Sequence, residues 1–279
     1  MKLVSTIKDE NLFHIFAFDI IKYYDNKYNE VLIDSADLDI ENSNIQKWRL
    51  FVMKKLYKNV SYSNNVINEN NISYNGYDCW QFIKYQPCPH MCSIYNIISP
   101  KTTNTEKYIL LIQRNKDNRY LYDFNTKLKL EEYLLNQNIK IPIKICNFDN
   151  MSPEEQYEIC SNYIIFIAAH GAACTNIIFT PKNTSVIEIN FRKHWYCDSV
   201  CDDHLYNKIS VNEKCNGLLT YRNYFHKADY HNLCYLLGKK YVEMEAVEYK
   251  DGFNNRNPIS KKKIYINGEE LINHINNLI

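Results

Sequence analysis

Phe166 to Ile189, FIAAHGAACTNIIFTPKNTSVIEI, is the stretch that decides how this chain folds. Ile164 to Ala168 reads as an apolar strand that stops at a loop of small residues, His170-Gly171-Ala172-Ala173. A short apolar helix through Asn176 to Phe179 follows, and Pro181-Lys182-Asn183 makes a turn. A second strand, Ser185 to Ile189, carries one carboxylate, Glu188, in an otherwise β-branched run. Strand, small-residue turn and helix N-terminus together put free backbone N–H groups and a positive dipole end at the carboxyl edge of a sheet, where α/β proteins bind phosphate. A side chain at Gly171 would obstruct the approach of a phosphate to the backbone. The implied ligand is an anion, a nucleotide foremost, of unspecified kind.

Working outward, the second part of the chain continues the alternation of strand and helix. Tyr108 to Gln113 is a buried strand ending at Arg114, Lys127 to Asn136 an amphipathic helix, and Ile141 to Cys146 a strand. Ser152-Pro153-Glu154-Glu155 starts a helix: Ser152 is the N-cap, Pro153 sits at N1, and Glu155 completes a capping box. Lys193 to Asn216 is irregular; Ala228 to Leu237 reads as a helix closed by Gly238, Tyr241 to Val247 as a strand, and Gly268 to Ile279 as a last helix. In the first part, Leu12 to Tyr24 reads as a helix, Glu30 to Ile33 as a strand and Ile45 to Leu56 as an amphipathic helix. Asn59 to Asn75 is polar and poorly periodic, Gln86-Pro-Cys-Pro-His a loop, and Ser99 to Lys107 a polar linker that marks a domain boundary. Alternation of this kind is the mark of α/β architecture.

At 279 residues, with 46% hydrophobic and 14% aromatic residues, the chain has enough apolar material for two folded domains. A mean hydropathy of -0.46 and no apolar run near ~20 residues argue against a membrane span. The start, MKLVSTIKDENLFHIF, lacks a long apolar core and a small-residue cleavage site, so a cytoplasmic location is expected. Net charge is +1, from 33 basic and 32 acidic residues, which argues against nucleic acid as a partner and against a polybasic membrane binder. An excess of Asn, Lys, Ile and Tyr, with 24 Tyr, reflects an AT-rich coding bias, so single Tyr and Asn positions say little. Ten Cys without a secretion signal read as reduced thiols, most of them small core hydrophobes.

The second half resembles the C-terminal domain of the glycosyltransferase 61 family. The resemblance rests on Leu111-Ile-Gln-Arg114 with Arg119, on Ser152-Pro-Glu-Glu-Gln156, and on the His170-Gly-Ala…Thr175-Asn176…Phe179…Pro181…Ser185-Val-Ile-Glu188-Ile189 block. Downstream, Tyr230-His-Asn-Leu-Cys-Tyr-Leu-Leu-Gly238…Tyr241 is similar to a helix and strand of the family, and Asn11-Leu-Phe-His14-Ile-Phe-Ala-Phe-Asp19 to its N-terminal segment. The chain departs at Ala173, where the family usually has Gly, and at Cys174, where it usually has Leu. The resemblance implies a GT-B-like protein, two Rossmann-like domains facing a cleft, that transfers a sugar from a nucleotide-sugar, commonly UDP-linked, with inversion. No cofactor is implied, since family members typically act without a metal and the nucleotide-sugar is a substrate. The partners are that donor and a glycan or glycoprotein acceptor.

A metal-free transferase must neutralise its departing diphosphate with protein groups, and a helix N-terminus with Arg residues does so. Arg114 can fork onto pyrophosphate oxygens or make a surface salt bridge, and Arg119 stands between a binding and a structural role. Glu188 is expected at its strand's end, accepting from ribose hydroxyls, because a buried unpaired carboxylate is expensive. His170 either faces the phosphates, with the backbone of Gly171 and Ala172, or makes a structural hydrogen bond; Thr175 and Asn176 either donate to phosphate or cap the helix. Inverting transfer also needs a base. The N-terminal match nominates Asp19 and His14, whose spacing of five would set them ~140° apart on a helix, so one at most is the base.

The expected domains are 1–103, acceptor-side and completed by the C-terminal helix 266–279, and 104–265, which binds the donor. A competing reading is a non-catalytic nucleotide- or glycan-binding module. A third, a metal-dependent GT-A enzyme, would use Asp37-Leu-Asp39. Cys88-Pro-His90-Met-Cys92 and Cys197…Cys201-Asp-Asp-His204 hold possible zinc ligands, with ordinary thiols the default.

Overall fold

The computed structural model of the chain describes residues 2–5, 30–34, 43–63, 91–100, 108–114, 118–191, 229–250 and 262–279. The described strands are β1 Lys2–Ser5, β2 Glu30–Asp34, β3 Asn59–Ser63, β4 Ile109–Ile112, β5 Asn118–Asp123, β6 Ile143–Cys146, β7 Ile165–Ala169, β8 Ser185–Asn190, β9 Tyr241–Glu245, β10 Glu248–Lys250 and β11 Lys262–Ile266. The chain divides into two compact units. One comprises Met1–Thr102, Met151–Ser161 and Thr175–Lys182; the other comprises Thr103–Asn150, Asn162–Cys174 and Asn183–Ile279. The two short segments assigned to the first unit are not visible as such in the sequence.

In the second unit five strands form a parallel sheet in the order β6-β4-β7-β8-β9. Every residue of β4, β7 and β8 is buried, whereas β6 and β9 at the edges are only partly so. Central strands of a parallel sheet are covered on both faces and read as near-continuous apolar runs, as β4 and β7 do, while β8 carries Glu188 within its run. Counted within the sheet the order is 2-1-3-4-5, so the strand order reverses between β4 and β7. Ligands of such sheets bind outside the carboxyl ends of the strands at that reversal. Here those ends deliver Arg114 and His170-Gly171.

One face of this sheet, with Ile109, Leu111, Ile165, Ile167, Ile187 and Ile189, is part of a core completed by Leu121, Leu130, Leu134, Ile264, Ile266, Leu271 and Ile275. Each fully buried Leu or Ile contributes ~1.5–3 kcal/mol. Leu271 and Ile275 belong to the last helix, Gly268–Leu278, so this helix packs within the second unit, whereas the sequence assigns it to the N-terminal domain. Its start explains the placement: Asp123 Oδ1 accepts from the Gly268 N–H at 2.9 Å, and Asn267 caps Glu269 and Glu270. Three further strands make a small sheet, β10-β11-β5, with β11 parallel to β5 and antiparallel to β10. The helix Asp229–Leu236 ends with Gly238 in the left-handed region at φ +65° and a Lys239 N–H to Cys234 carbonyl bond of 2.9 Å, a Schellman closure that turns the chain into β9.

The first unit has a parallel sheet β1-β2-β3. β3 falls at the start of the Asn-rich stretch that the sequence leaves without structure; its Val60 and Tyr62 pair with Val31 and Ile33. The helix Asn44–Leu56, capped by Ser43, buries Trp48, Val52 and Met53. Phe51 and Phe179 meet edge-on at 5.8 Å, and Tyr157, on the helix Pro153–Cys160, packs against both. That helix starts as the sequence predicts, with both bonds of the Ser152–Glu155 capping box present and Pro153 in the first turn.

Candidate functional site

Gln113 fixes the chain where β4 ends. Its Oε1 accepts from the Leu121 N–H at 3.1 Å, and its Nε2 donates to the Leu121 carbonyl at 3.3 Å and to Glu131 Oε2 at 2.5 Å. The side chain thus imitates a ladder rung, clipping the end of β4 to β5. Arg114 is the next residue. It is half-buried, and its guanidinium makes no hydrogen bond or ion pair among the described residues. Nothing among the described residues consumes this charge.

Arg119 reaches the same place from β5 by a different device. Asn118 pairs with Lys262 and Tyr120 with Lys263, so Arg119 is one extra residue in the strand, a bulge. Its φ is +59°, in the left-handed region that a non-glycine residue occupies at a cost of ~1–2 kcal/mol. Bulges re-aim side chains, often beside functional sites. Here the guanidinium lies 5.0 Å over the Phe191 ring and donates through Nη1 to the His170 carbonyl at 3.3 Å.

Both arginines converge on Gly171. A methyl group placed there would sit 2.9 Å from Arg119 Nη1 and 3.5 Å from Arg114 Nη1. Gly171 has φ +149°, a conformation L side chains rarely adopt. The requirement for glycine read from the sequence is therefore met twice, by backbone and by space. Half-buried Ala172 opens a 3₁₀-helix, Ala172–Phe179, where the sequence suggests a helix beginning at Asn176. The Cys174 N–H bonds the Gly171 carbonyl at 2.9 Å, so the N–H groups of Ala172 and Ala173 precede the first intrahelical bond. Two guanidinium groups and a helix start thus concentrate positive potential around a spot with no side chain. An anion is the ligand this arrangement suits.

His170, Glu188 and Tyr241 lie on one face of the sheet, in a diagonal set by its register. Tyr241 stands opposite Val186, two residues before Glu188, and Ala168 stands opposite Glu188, two residues before His170. Residues two apart on a strand share a face, and diagonal neighbours on adjacent strands are within reach of long side chains. Glu188 Oε2 accepts from the Tyr241 hydroxyl at 2.6 Å, and Oε1 pairs with His170 Nδ1. Glu188 is 1% exposed and is the fourth of six residues in β8. The sequence places it at the strand's end, facing ribose; the structure buries it with both oxygens engaged, which meets the cost of an interior carboxylate from within the protein. Burial first, then the Glu188 charge and hydrogen bond, hold the Tyr241 phenol far above its ordinary range. The Cys174 thiol is likewise raised, by burial and by Glu188. Cys146, Cys160, Cys174 and Cys234 are buried free thiols.

Thr175 and Asn176 fall in the first unit. Asn176 is 2% exposed; its Oδ1 accepts from Trp48 Nε1 at 2.9 Å and its Nδ2 donates to Gln156 Oε1 at 2.8 Å. Its amide therefore neither caps the helix nor stands open, and Gln156, which the sequence groups with the family motif, is its partner. Thr175 is fully buried, with no hydrogen-bond partner for Oγ1 among the described residues. His14, Asp19, Asp37, Asp39, Cys88, His90, Cys197, Cys201 and His204 lie outside the described residues. No described helix is long and apolar enough to cross a membrane.

Gln113, Phe191 and Tyr241 have no role legible in the sequence. Gln113 and Tyr241 do stand within the quoted motifs, but one Tyr among 24 carries little weight, and Phe191 carries no motif.

The Glycosyltransferase 61 family model matches residues 13–187, more than half of the chain. The match takes in His14, Asp19, Arg114, Arg119 and the loop from His170 to Asn176, and stops one residue before Glu188. No curated protein matches the chain.

Proposed function

The chain belongs to the glycosyltransferase 61 family, and from that premise we propose that it moves a sugar from a nucleotide-sugar, UDP-linked, onto a hydroxyl of a glycan or protein, with inversion at the anomeric carbon and without a metal. The observation that carries this reading is the convergence of Arg114 and Arg119 over Gly171 at the strand-order reversal of the parallel sheet. Arg114 is the stronger candidate for the diphosphate, because its charge has no other use among the described residues. Arg119 supports from the bulge, already partly occupied by His170 and Phe191.

The chemistry then has a simple balance. A base takes the proton of the acceptor hydroxyl, the oxygen attacks the anomeric carbon, and the bond from that carbon to the diphosphate breaks. The diphosphate leaves with an added negative charge, which two guanidinium groups and the first N–H groups of the 3₁₀-helix would stabilise. Within this proposal Asp19 or His14 supplies the base, and the GT-B arrangement implied by the resemblance is part of the same expectation. Calorimetry tests the reading. UDP should bind the intact protein, and turnover of a UDP-sugar should fall at least tenfold in Asp19→Asn or in His14→Ala. Nucleotide binding with no turnover in the wild type would instead mark a non-catalytic module.

A further inference from the structure

We propose that Glu188 and Tyr241 are positioning residues, which hold the His170 ring so that its Nε2 is delivered to the diphosphate of the donor; the ligand half of this rests on the reading of the site given above. A ribose contact would require Glu188 to give up partners it already has. It is 1% exposed, and its two oxygens are taken by Tyr241 at 2.6 Å and by His170 Nδ1. The tautomer and orientation of an imidazole are set by the hydrogen bond its other nitrogen makes. With Nδ1–H committed to Glu188, Nε2 is the atom left for a ligand, and it makes no hydrogen bond among the described residues.

The ring has little freedom to turn away. It packs against Tyr230 at 5.4 Å and Phe191 at 6.3 Å between centroids, and the His170 N–H is held by the Ile189 carbonyl at 2.9 Å. The next residue, Gly171, is the one on which both arginines converge, and Arg119 is bonded to the carbonyl of His170 itself. The imidazole is therefore fixed one residue from the positive spot. A diphosphate oxygen needs a donor, so the ring engages it in its doubly protonated form, as Nε2–H, with the Glu188 carboxylate facing the added charge. Tyr241 acts one step further out, preventing the carboxylate from swinging off the ring.

Nitrogen NMR on the full chain labelled in its histidine rings, with calorimetry on the same samples, tests this. In the free wild type, Nδ1 of His170 should give the signature of a protonated, hydrogen-bonded nitrogen, and inorganic pyrophosphate or UDP should shift the Nε2 resonance. Glu188→Gln, whose amide oxygen still accepts, should keep the Nδ1 signature, and Glu188→Ala should lose it. Tyr241→Phe should keep it while weakening pyrophosphate binding roughly three- to tenfold, the worth of one hydrogen bond. If Glu188→Ala does not fold, the Gln and Phe variants and the wild-type tautomer remain as tests. An unprotonated Nδ1 in the free wild type overturns the positioning role. An Nε2 resonance unmoved while calorimetry shows bound pyrophosphate overturns its delivery to the ligand. Absence of any pyrophosphate or UDP binding overturns the nucleotide reading and the ligand assigned to Nε2 with it, and the Nδ1 signature then reports separately on the hold exerted by Glu188.

Discussion

Replacing Arg114 with Ala separates binding from stability more cleanly than any other change in this protein. The guanidinium is half-buried and makes no hydrogen bond or ion pair among the described residues, so its removal leaves no orphaned partner there. The expected loss of folding stability is therefore small, within ~0.5 kcal/mol. A charge-assisted bond to a diphosphate is worth ~1.5–3 kcal/mol, and a bidentate fork sits at the upper end. At ~1.4 kcal/mol per tenfold, UDP should bind ~10–150 times more weakly. Titration calorimetry at fixed, moderate salt reads the affinity, and urea unfolding of the same preparations reads the stability. Arg114→Lys should fall between, since an ammonium keeps the charge but not the fork. Unchanged UDP affinity in Arg114→Ala would remove the residue from the site. A loss of several kcal/mol in stability would show that its charge is already used by the fold.

Gly171→Ala should weaken UDP binding at least tenfold and cost ~1–3 kcal/mol of stability, because φ of +149° and Arg119 Nη1 at 2.9 Å both oppose a Cβ; unfolding and titration curves check the two halves. Asn176→Ala should cost ~2–4 kcal/mol by removing the buried bonds to Trp48 Nε1 and Gln156 Oε1, and a folded variant should bind UDP as the wild type does. A selective loss of UDP binding would make Asn176 a ligand contact instead. Lys239 is 7% exposed, and burial lowers its pKa from 10.5 to about 7. Between these values the unfolded chain binds the proton and the folded chain does not, so stability should rise with pH above about 7. Urea unfolding at pH 7 and 8.5 should show the rise in the wild type and a flatter profile in Lys239→Met.

The legible parts of the fold were those whose signal is local. Tyr108 to Gln113, Ile164 to Ala168 and Ser185 to Ile189 are predominantly apolar runs, the last interrupted by Glu188, and each forms a central strand within one residue at either end. Ser152, Pro153 and Glu155 announce a helix start through backbone groups three residues away. β3 and β5 escaped for the opposite reason. Asn-Val-Ser-Tyr-Ser and Asn-Arg-Tyr-Leu-Tyr-Asp contain the strand formers Val and Tyr, but they are short, bounded by polar residues and too common in a Tyr-rich chain to stand out, and it is pairing with β2 and β11 that makes them strands. Missing β5 also hid the bulge that aims Arg119.

The site was legible as a set of residues more than as a set of partnerships. Arg114, Arg119, His170, Gly171 and Glu188 do come together at the end of the sheet. Glu188 was expected to look outward because the residue that satisfies it, Tyr241, lies 53 positions downstream. Asn176 reads from the sequence as a phosphate donor or a helix cap because its partner Trp48 is 128 positions away, and no short window of sequence contains that bond. The register of β7, β8 and β9 then accounts for the His170–Glu188–Tyr241 diagonal, a geometric fact that only pairing reveals.

The central claim, that the loop from His170 to Ala172 with Arg114 and Arg119 holds the diphosphate of a nucleotide-sugar, is tested most directly by calorimetry on the intact wild-type protein with UDP, GDP, ADP and inorganic pyrophosphate. UDP should bind with a stoichiometry of one, and pyrophosphate should compete for the same site. Failure of every nucleoside diphosphate to bind would contradict the claim.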